Sequence, residues 1–137
     1  MHQSFKDGKE YIYDCIRKKD VILTPEEWVR QQIIRYLLEK KDYPASLFSI
    51  EKQIKIGTLK KRYDIVVYLQ DQPWLLVECK SETEKLNTNT IQQIVAYNSQ
   101  LKVSYLVLTN GKEIKVYNTM QDSWSHQFPE YPFTSKL

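Results

Sequence analysis

The chain is poor in the residues that make linkers, staples and membrane spans. Only three glycines and five prolines occur in 137 residues, which excludes a long flexible linker. The two cysteines, Cys15 and Cys79, have neither the number of a disulfide framework nor a metal-ligand spacing. They read as small, buried thiols of a reducing compartment. No apolar run approaches the roughly 20 residues that a membrane span needs. Met1-His2-Gln3-Ser4 lacks the basic-then-apolar order of a signal peptide. The expectation is a cytoplasmic protein with no membrane partner. A Gly-rich phosphate loop ending in Gly-Lys-Ser/Thr is also missing, so no motor of that type lies within these residues.

What remains is an ordinary globular composition, 42% hydrophobic and 27% charged. The length predicts one domain over 1–137, with a core over about residues 10–120 and an irregular aromatic cap over 120–137. A net charge of +3 is too mild to name a partner. The basic residues nevertheless cluster, at Arg17-Lys18-Lys19, Lys40-Lys41 and Lys60-Lys61-Arg62. Each cluster reads either as solvated surface or as a phosphate contact.

Residues 10–16 read as a short strand, followed by a basic turn and the apolar step Val21-Ile22-Leu23. Thr24-Pro25-Glu26-Glu27 predicts a helix start, with Thr24 as N-cap, Pro25 at the first helical position and Glu27 completing a capping box. Val29, Ile33, Tyr36 and Leu37 give one apolar face, and Lys40-Lys41 marks the helix end. Phe48 to Ile56, Tyr63 to Leu69 and Trp74 to Lys80 read as strands, broken at Gly57-Thr58 and around Gln70 to Pro73. The apolar run Trp74 to Val77 predicts a strand covered on both faces. Asn89 or Thr90 caps a second helix that buries Ile91, Ile94, Val95 and Leu101. Val103 to Thr109 follows as a strand parallel to the previous one. Asn110-Gly111 predicts a two-residue hairpin turn into Glu113 to Asn118. The expected fold is α/β, a mixed β-sheet flanked by helices.

Two acids and a lysine interrupt strands that otherwise look buried. Glu78 and Lys80 share one face of a strand, and Cys79 points to the other. A hairpin turning at Asp71 sets Asp64 opposite Glu78, with Cβ atoms roughly 5 Å apart. Carboxylates so close repel unless a cation lies between them or one is protonated. Hard oxygen ligands of this kind suit Mg²⁺, and Lys80 beside them suits orienting water or offsetting phosphate charge. Such a set is fitted to phosphodiester hydrolysis; an exposed ion pair is the plainer reading. Gln93 and Tyr97, spaced i, i+4, flank the apolar stripe of the second helix.

Asp64, then Glu78-Cys79-Lys80, then Gln93-Ile94-Val95-Ala96-Tyr97 resembles the PD-(D/E)XK nuclease superfamily and the Gln-x-x-x-Tyr element of its RecB-like branch. The stretches 23–31, 61–68, 77–80 and 108–111 are similar to the N-terminal nuclease domain of type I restriction R proteins. The resemblance implies a restriction-endonuclease-like fold and a Mg²⁺-dependent DNA endonuclease, with Mn²⁺ as a substitute. It implies that Asp64, Glu78 and the carbonyl of Cys79 bind the metal and that Lys80 positions or activates water. Gln93 and Tyr97 would line the site. A glutamate of the first helix is implied near the metal: Glu27, with Glu26 as the alternative. Tyr63 stands where proline is common in the family. In R proteins a motor follows this domain, so the chain is either a fragment or a small stand-alone nuclease. Met1 and the aromatic tail favour the second. The expected partner is DNA, with a motor or specificity subunit, or a second copy of the chain, as further candidates. A catalytically quiet DNA-binding module and a nuclease for RNA or branched DNA are the competing readings.

Overall fold

The computed structural model describes residues 2–56, 58–87, 89, 92–93, 95–96 and 102–133. Two hairpins open the chain: β1 (Gln3–Lys6), β2 (Lys9–Asp14) and β3 (Lys19–Ile22) form a three-stranded antiparallel sheet. The strand expected near residues 10–16 is its middle strand. Its neighbours are four residues each and largely exposed, so they carry no hydrophobic alternation to read. The basic turn includes Lys18 at φ 57.

Helix α1 (Pro25–Glu39) starts where the sequence predicts, with Thr24 Oγ1 accepting from the Glu27 N–H at 3.0 Å. Val29, Ile33 and Leu37 are buried as expected, but Tyr36 is 43% exposed and Ile34 is buried in its place. A short 3-10 turn (Ala45–Leu47) then leads into a six-stranded sheet. Its strands are β4 (Phe48–Ile56), β5 (Leu59–Leu69), β6 (Gln72–Cys79), β7 (Tyr105–Thr109), β8 (Ile114–Asn118) and β9 (Ser123–Ser125), hydrogen-bonded in chain order. Only β6 and β7 run parallel, so the sheet is mixed. The backbone is helical at Asn89, Gln92, Gln93, Val95 and Ala96, between the two parallel strands, where a crossover belongs. Asn89 is itself helical and its N–H donates to Asn87 Oδ1 at 2.8 Å, so the cap lies earlier than expected. Thr90, Ile91, Ile94 and Leu101 lie outside the described residues, as does Gly57 of the expected turn.

Both faces of the sheet carry a core. Val29, Ile33 and Leu37 of α1 pack with Ile65, Val67, Leu75, Val77 and Val107. The other face gathers Tyr63, Val66, Leu76, Leu106 and Tyr117, with Val95 against them. Strand β6 is therefore covered on both sides, as its apolar run predicts. Pro73 pairs with Tyr68 of β5, ahead of the first β6–β7 pair at Leu75, so its missing N–H breaks no ladder bond toward β7.

Two turns differ from expectation. Leu69 pairs with Gln72, leaving Gln70-Asp71 as a two-residue loop with φ of 50° and 65°, the signs of a type I′ turn. The ladder then shifts between Val67 and Tyr68, with Trp74 as the extra residue on β6. Beyond the shift Ile65 pairs with Val77, the last pair of the ladder, and that register carried one position further sets Asp64 across from Glu78. The expected opposition is thus produced by a bulge, not by a loop centred on Asp71. The second turn spans four residues, since Thr109 pairs with Ile114. Asn110 Oδ1 accepts from the N–H groups of Lys112 and Glu113 at 2.9 and 2.7 Å, and this side-chain turn replaces the expected two-residue hairpin.

The tail is more ordered than an irregular cap. It adds β9 and buries Phe128 and Tyr131 in the first core, while Trp124 and Phe133 stay exposed. Tyr131 donates to the Tyr68 carbonyl at 2.8 Å and stacks edge-on against Trp74. Among the described residues, no helix is long and apolar enough to cross a membrane.

The Gln70-Asp71 loop holds two non-glycine residues in a conformation that costs roughly 1–2 kcal/mol each. Replacing it with Asn-Gly is expected to stabilise the protein by about 1 kcal/mol, read as a rise in Tm of roughly 4 °C. An unchanged or lower Tm would show that the loop is not strained.

Candidate active site

Helix α1 presents two adjacent stripes. One is the apolar face just described. The other carries Glu27, Arg30 and Gln31, three polar residues that are all buried. Buried polar groups need partners, and these find them on three other elements. Asp14, at the end of β2, accepts from Arg17 Nε at 2.7 Å, from the Ile16 and Arg17 N–H groups and from Gln31 Nε2 at 2.9 Å. Arg17 Nη2 reaches Glu27 at 3.1 Å. Arg30 Nη1 donates to Glu27 at 3.0 Å and to Glu51 of β4 at 3.1 Å, and its Nη2 donates to Asp64 Oδ1 at 2.9 Å. The second oxygen of Asp64 accepts from the Cys79 N–H at 2.7 Å. A continuous polar chain thus runs from the small sheet through α1 to β5 and β6.

The network holds four carboxylates, of Asp14, Glu27, Glu51 and Asp64, against the two guanidiniums of Arg17 and Arg30. Its formal charge is negative. Burial acts to lower the Arg30 pKa, but Glu27, Asp64 and Glu51 outweigh it and the net shift is upward. Arg30 Nε is buried and has no partner among the described residues. Burial likewise acts to raise Asp14, yet the hydrogen bonds from Arg17 and Gln31 hold its carboxyl below the usual 3.8.

The residues singled out from the sequence fall as follows. Asp64 sits at a break in the β4–β5 ladder: Ile50 pairs with Ile65 and Lys52 with Tyr63, but Glu51, at φ 54, and Asp64 drop out. Glu78 accepts from Lys61 Nζ at 2.9 Å. The two opposed carboxylates therefore each have a protein cation, which offsets the repulsion expected between them. Cys79 is buried, and burial followed by the nearby Asp64 pushes its thiol well above the usual range, whereas Cys15, expected to be buried too, is exposed in the turn after β2. The Lys80 N–H bonds the Thr109 carbonyl at 2.8 Å, and its side chain lines a shallow cleft with Glu84, Lys85, Asn87 and Leu108. Asn110 Nδ2 holds the Glu84 carbonyl at 2.8 Å, so the Thr109-Asn110 corner fixes the wall of that cleft. Glu27 does only half of what the capping box predicts. Its N–H is capped by Thr24, but its carboxylate turns inward to Arg17, Arg30 and Gln31. Glu26 is exposed. Gln93 is exposed on helical backbone, and Tyr97 lies outside the described residues.

Asp14, Arg30, Gln31 and Glu51 were not singled out from the sequence, and Arg17 and Lys61 only as members of basic clusters. A signal exists for part of this set: Glu27, Arg30, Gln31 and Ile34 follow the i, i+3, i+4, i+7 spacing of a second helix face. Nothing local marks Asp14 or Glu51, which are brought in by the fold.

A mixed six-stranded sheet with a helix across one face is the architecture of a restriction-endonuclease-like domain. The profile of the family described as Type I restriction enzyme R protein N terminus (HSDR_N) matches residues 25–132, and the chain belongs to that family. Two solved structures share the fold. One is a fragment of a protein assigned as an HsdR subunit of a type I restriction enzyme from Vibrio vulnificus YJ016, with TM-score 0.56, 19% identity and 78% of this chain covered. This chain spans 24% of that one. The other is a protein assigned as a nuclease of the DUF820 group from Anabaena variabilis ATCC 29413, with TM-score 0.55 and 13% identity over 90% of this chain and 74% of that one. No curated protein matches in sequence.

Two outcomes follow from the network. Arg30→Ala leaves the buried Glu27 carboxylate short of a counter-charge and is expected to cost about 3 kcal/mol in chemical denaturation. Adding Glu27→Gln should recover part of the loss; full additivity would show the pair is not coupled. Because the folded Asp14 pKa lies below its ordinary value, its contribution is complete above about pH 4 and disappears as pH falls through the lowered value. The stability gap between the unaltered chain and Asp14→Asn should therefore be constant near neutrality and shrink in acid. A gap independent of pH would contradict the assignment.

Proposed function

We propose that the chain is a Mg²⁺-dependent DNA endonuclease module of the type I restriction R kind, hydrolysing phosphodiester bonds. The observation that carries this reading is the bond from the Cys79 N–H to Asp64 at 2.7 Å, which joins the aspartate of β5 to the Glu78-Cys79-Lys80 end of β6. Among the described residues, no three Asp, Glu, His or Cys side chains are gathered to hold a metal ion unaided. Magnesium does not require three: it usually takes one or two carboxylates, with waters and substrate phosphate completing the shell. The hard oxygens of Asp64 and Glu78, the carbonyl of Cys79 and the carboxylate excess of the network fit such an ion, with Mn²⁺ as a substitute.

When bound, that ion supplies Lewis-acid polarisation of a phosphoryl oxygen. The remaining roles fall to the chain. Lys80, on a backbone pinned to Thr109, orients the attacking water and offsets phosphate charge. Glu27 acts through Arg30, which holds Asp64 in place. Gln93, exposed on helical backbone, and Tyr97, outside the described residues, are assigned to orienting DNA. A motor or specificity subunit of a restriction system, or a second copy of the chain for cutting both strands, are the proposed partners.

One observation favours a second reading, a catalytically quiet DNA-binding module. Asp64 and Glu78 are already held by Arg30 and Lys61, which compete with a metal for the same oxygens. Incubation with plasmid and with labelled single-stranded, duplex and branched DNA or RNA, in Mg²⁺, Mn²⁺ or EDTA, separates the two. The nuclease reading expects metal-dependent cleavage that falls by about a hundredfold or more in Lys80→Ala and in Asp64→Asn. Cleavage that survives EDTA or Lys80→Ala overturns the mechanism. Salt-sensitive binding with no cleavage of any substrate establishes the quiet module.

A further inference from the structure

Strand β5 is longer than its partner on one side. β6 pairs with it from Ile65 to Leu69, whereas β4 pairs with it from Leu59 to Val67. The five pairs from Lys52↔Tyr63 to Ile56↔Leu59 therefore form a two-stranded ribbon that runs past the end of β6. At about 3.3 Å per residue the ribbon is roughly 13 Å long. Its root is the ladder break at Glu51 and Asp64, where the strand also changes face: Tyr63 packs in one core and Ile65 in the other.

The charge on this ribbon is one-sided. Lys52, Lys55, Lys60, Lys61 and Arg62 lie on it, and no Asp or Glu occurs between Glu51 and Asp64. These five charges exceed the +3 of the whole chain, so the rest of the molecule is net negative. Lys61 is held at the root by Glu78 at 2.9 Å. Lys52, Lys55, Lys60 and Arg62 are exposed and make no ion pair among the described residues. Lys55 stands directly across from Lys60, an opposition of like charges that destabilises a strand pair. The other two basic clusters are smaller: Arg17 is taken up by Asp14 and Glu27, and Lys41 by Glu130, which leaves Lys18, Lys19 and Lys40 without an ion pair among the described residues.

We infer that this ribbon is a phosphate-binding arm that lays duplex DNA across the Asp64 end of the sheet. A two-stranded ribbon fits a DNA groove, and unbalanced lysine and arginine side chains are the groups that displace counterions from the phosphate backbone. Arg62 is two residues from Asp64 and Lys61 touches Glu78, so a strand held by the arm meets the two carboxylates. Contacts of this kind position DNA and read no sequence. The inference deepens the nuclease reading by assigning its substrate-holding surface, but binding can be measured without cleavage.

The test is fluorescence anisotropy of the full chain on a short labelled DNA duplex in Ca²⁺ and in EDTA, across roughly 50 to 200 mM salt. Lys55→Gln/Lys60→Gln/Arg62→Gln is compared with Lys9→Gln/Lys19→Gln/Lys40→Gln, which removes equal charge elsewhere on the surface. Circular dichroism checks that both remain folded. The arm variant should bind at least about tenfold more weakly and lower the slope of log Kd against log salt by about 2 to 3, with the control near the unaltered chain. Equal losses in the two variants, no binding by the unaltered chain, or tighter binding to anionic vesicles or an acidic peptide than to DNA would overturn the inference. If the unaltered chain cleaves DNA but the arm variant binds and cleaves normally, only the arm falls. If the arm binds DNA as expected but nothing is cleaved, the nuclease reading falls and the arm stands.

Discussion

The Arg30 guanidinium ties together more of this molecule than any other group described. It is rooted in α1, is almost fully buried, and bonds carboxylates on α1, β4 and β5. A buried charge is tolerated only where opposite charges surround it. The three carboxylates around Arg30 therefore fix where α1 lies over the sheet and how Asp64 is held against the Cys79 backbone. Asp14 and Arg17 extend the same logic to the small sheet, which makes its contact with Gln31 and Glu27 through charge-assisted hydrogen bonds.

Strand β6 is the second organising constraint. Covered on both faces and paired on both edges, it can present polar groups only at its ends. At one end the bulge at Trp74 packs under the aromatic tail, where Tyr131 bonds the Tyr68 carbonyl. At the other end Glu78 and Lys80 leave the core while Cys79 stays in it, and the Lys80 N–H is anchored to β7. Aromatic packing lies at the tail end, and the charged groups at the opposite end. Such a division of labour is common where a functional constellation must carry some electrostatic cost. The unsatisfied Arg30 Nε, the φ of Glu51 and the broken β4–β5 ladder all fall at the charged end.

The elements legible in the sequence are those whose signal is local. The Thr24 cap, the apolar run before Glu78 and the parallel return of the Val103 to Thr109 segment each follow from spacing or residue type within a few positions. The errors arise where two distant segments meet. Asn110 reads as a two-residue hairpin because the dipeptide Asn-Gly favours one, yet here the Asn110 side chain also holds the Glu84 carbonyl, and the loop widens to four residues. Tyr36 reads as core because its spacing suits an apolar face, but the tertiary packing buries Ile34 beside Arg30 and Gln31 instead. Glu27 reads as half of a capping box, since nothing nearby shows that Arg17 and Arg30 lie inward of it.

By itself the sequence determined the fold class and the strand that ends at Glu78 and Cys79. Both follow from periodicity and residue type, which act over a few residues, whereas the register near Asp64 depends on the Trp74 bulge. Only the tertiary structure decided which cations accompany the two acids, because Arg30 and Lys61 reach them from other elements. It also decided which basic residues are left without an acid: Lys52, Lys55, Lys60 and Arg62 lie on a ribbon beyond the sheet, while Arg17 and Lys41 fold back onto carboxylates. Charge balance depends on distance in space, and a sequence records distance only along the chain.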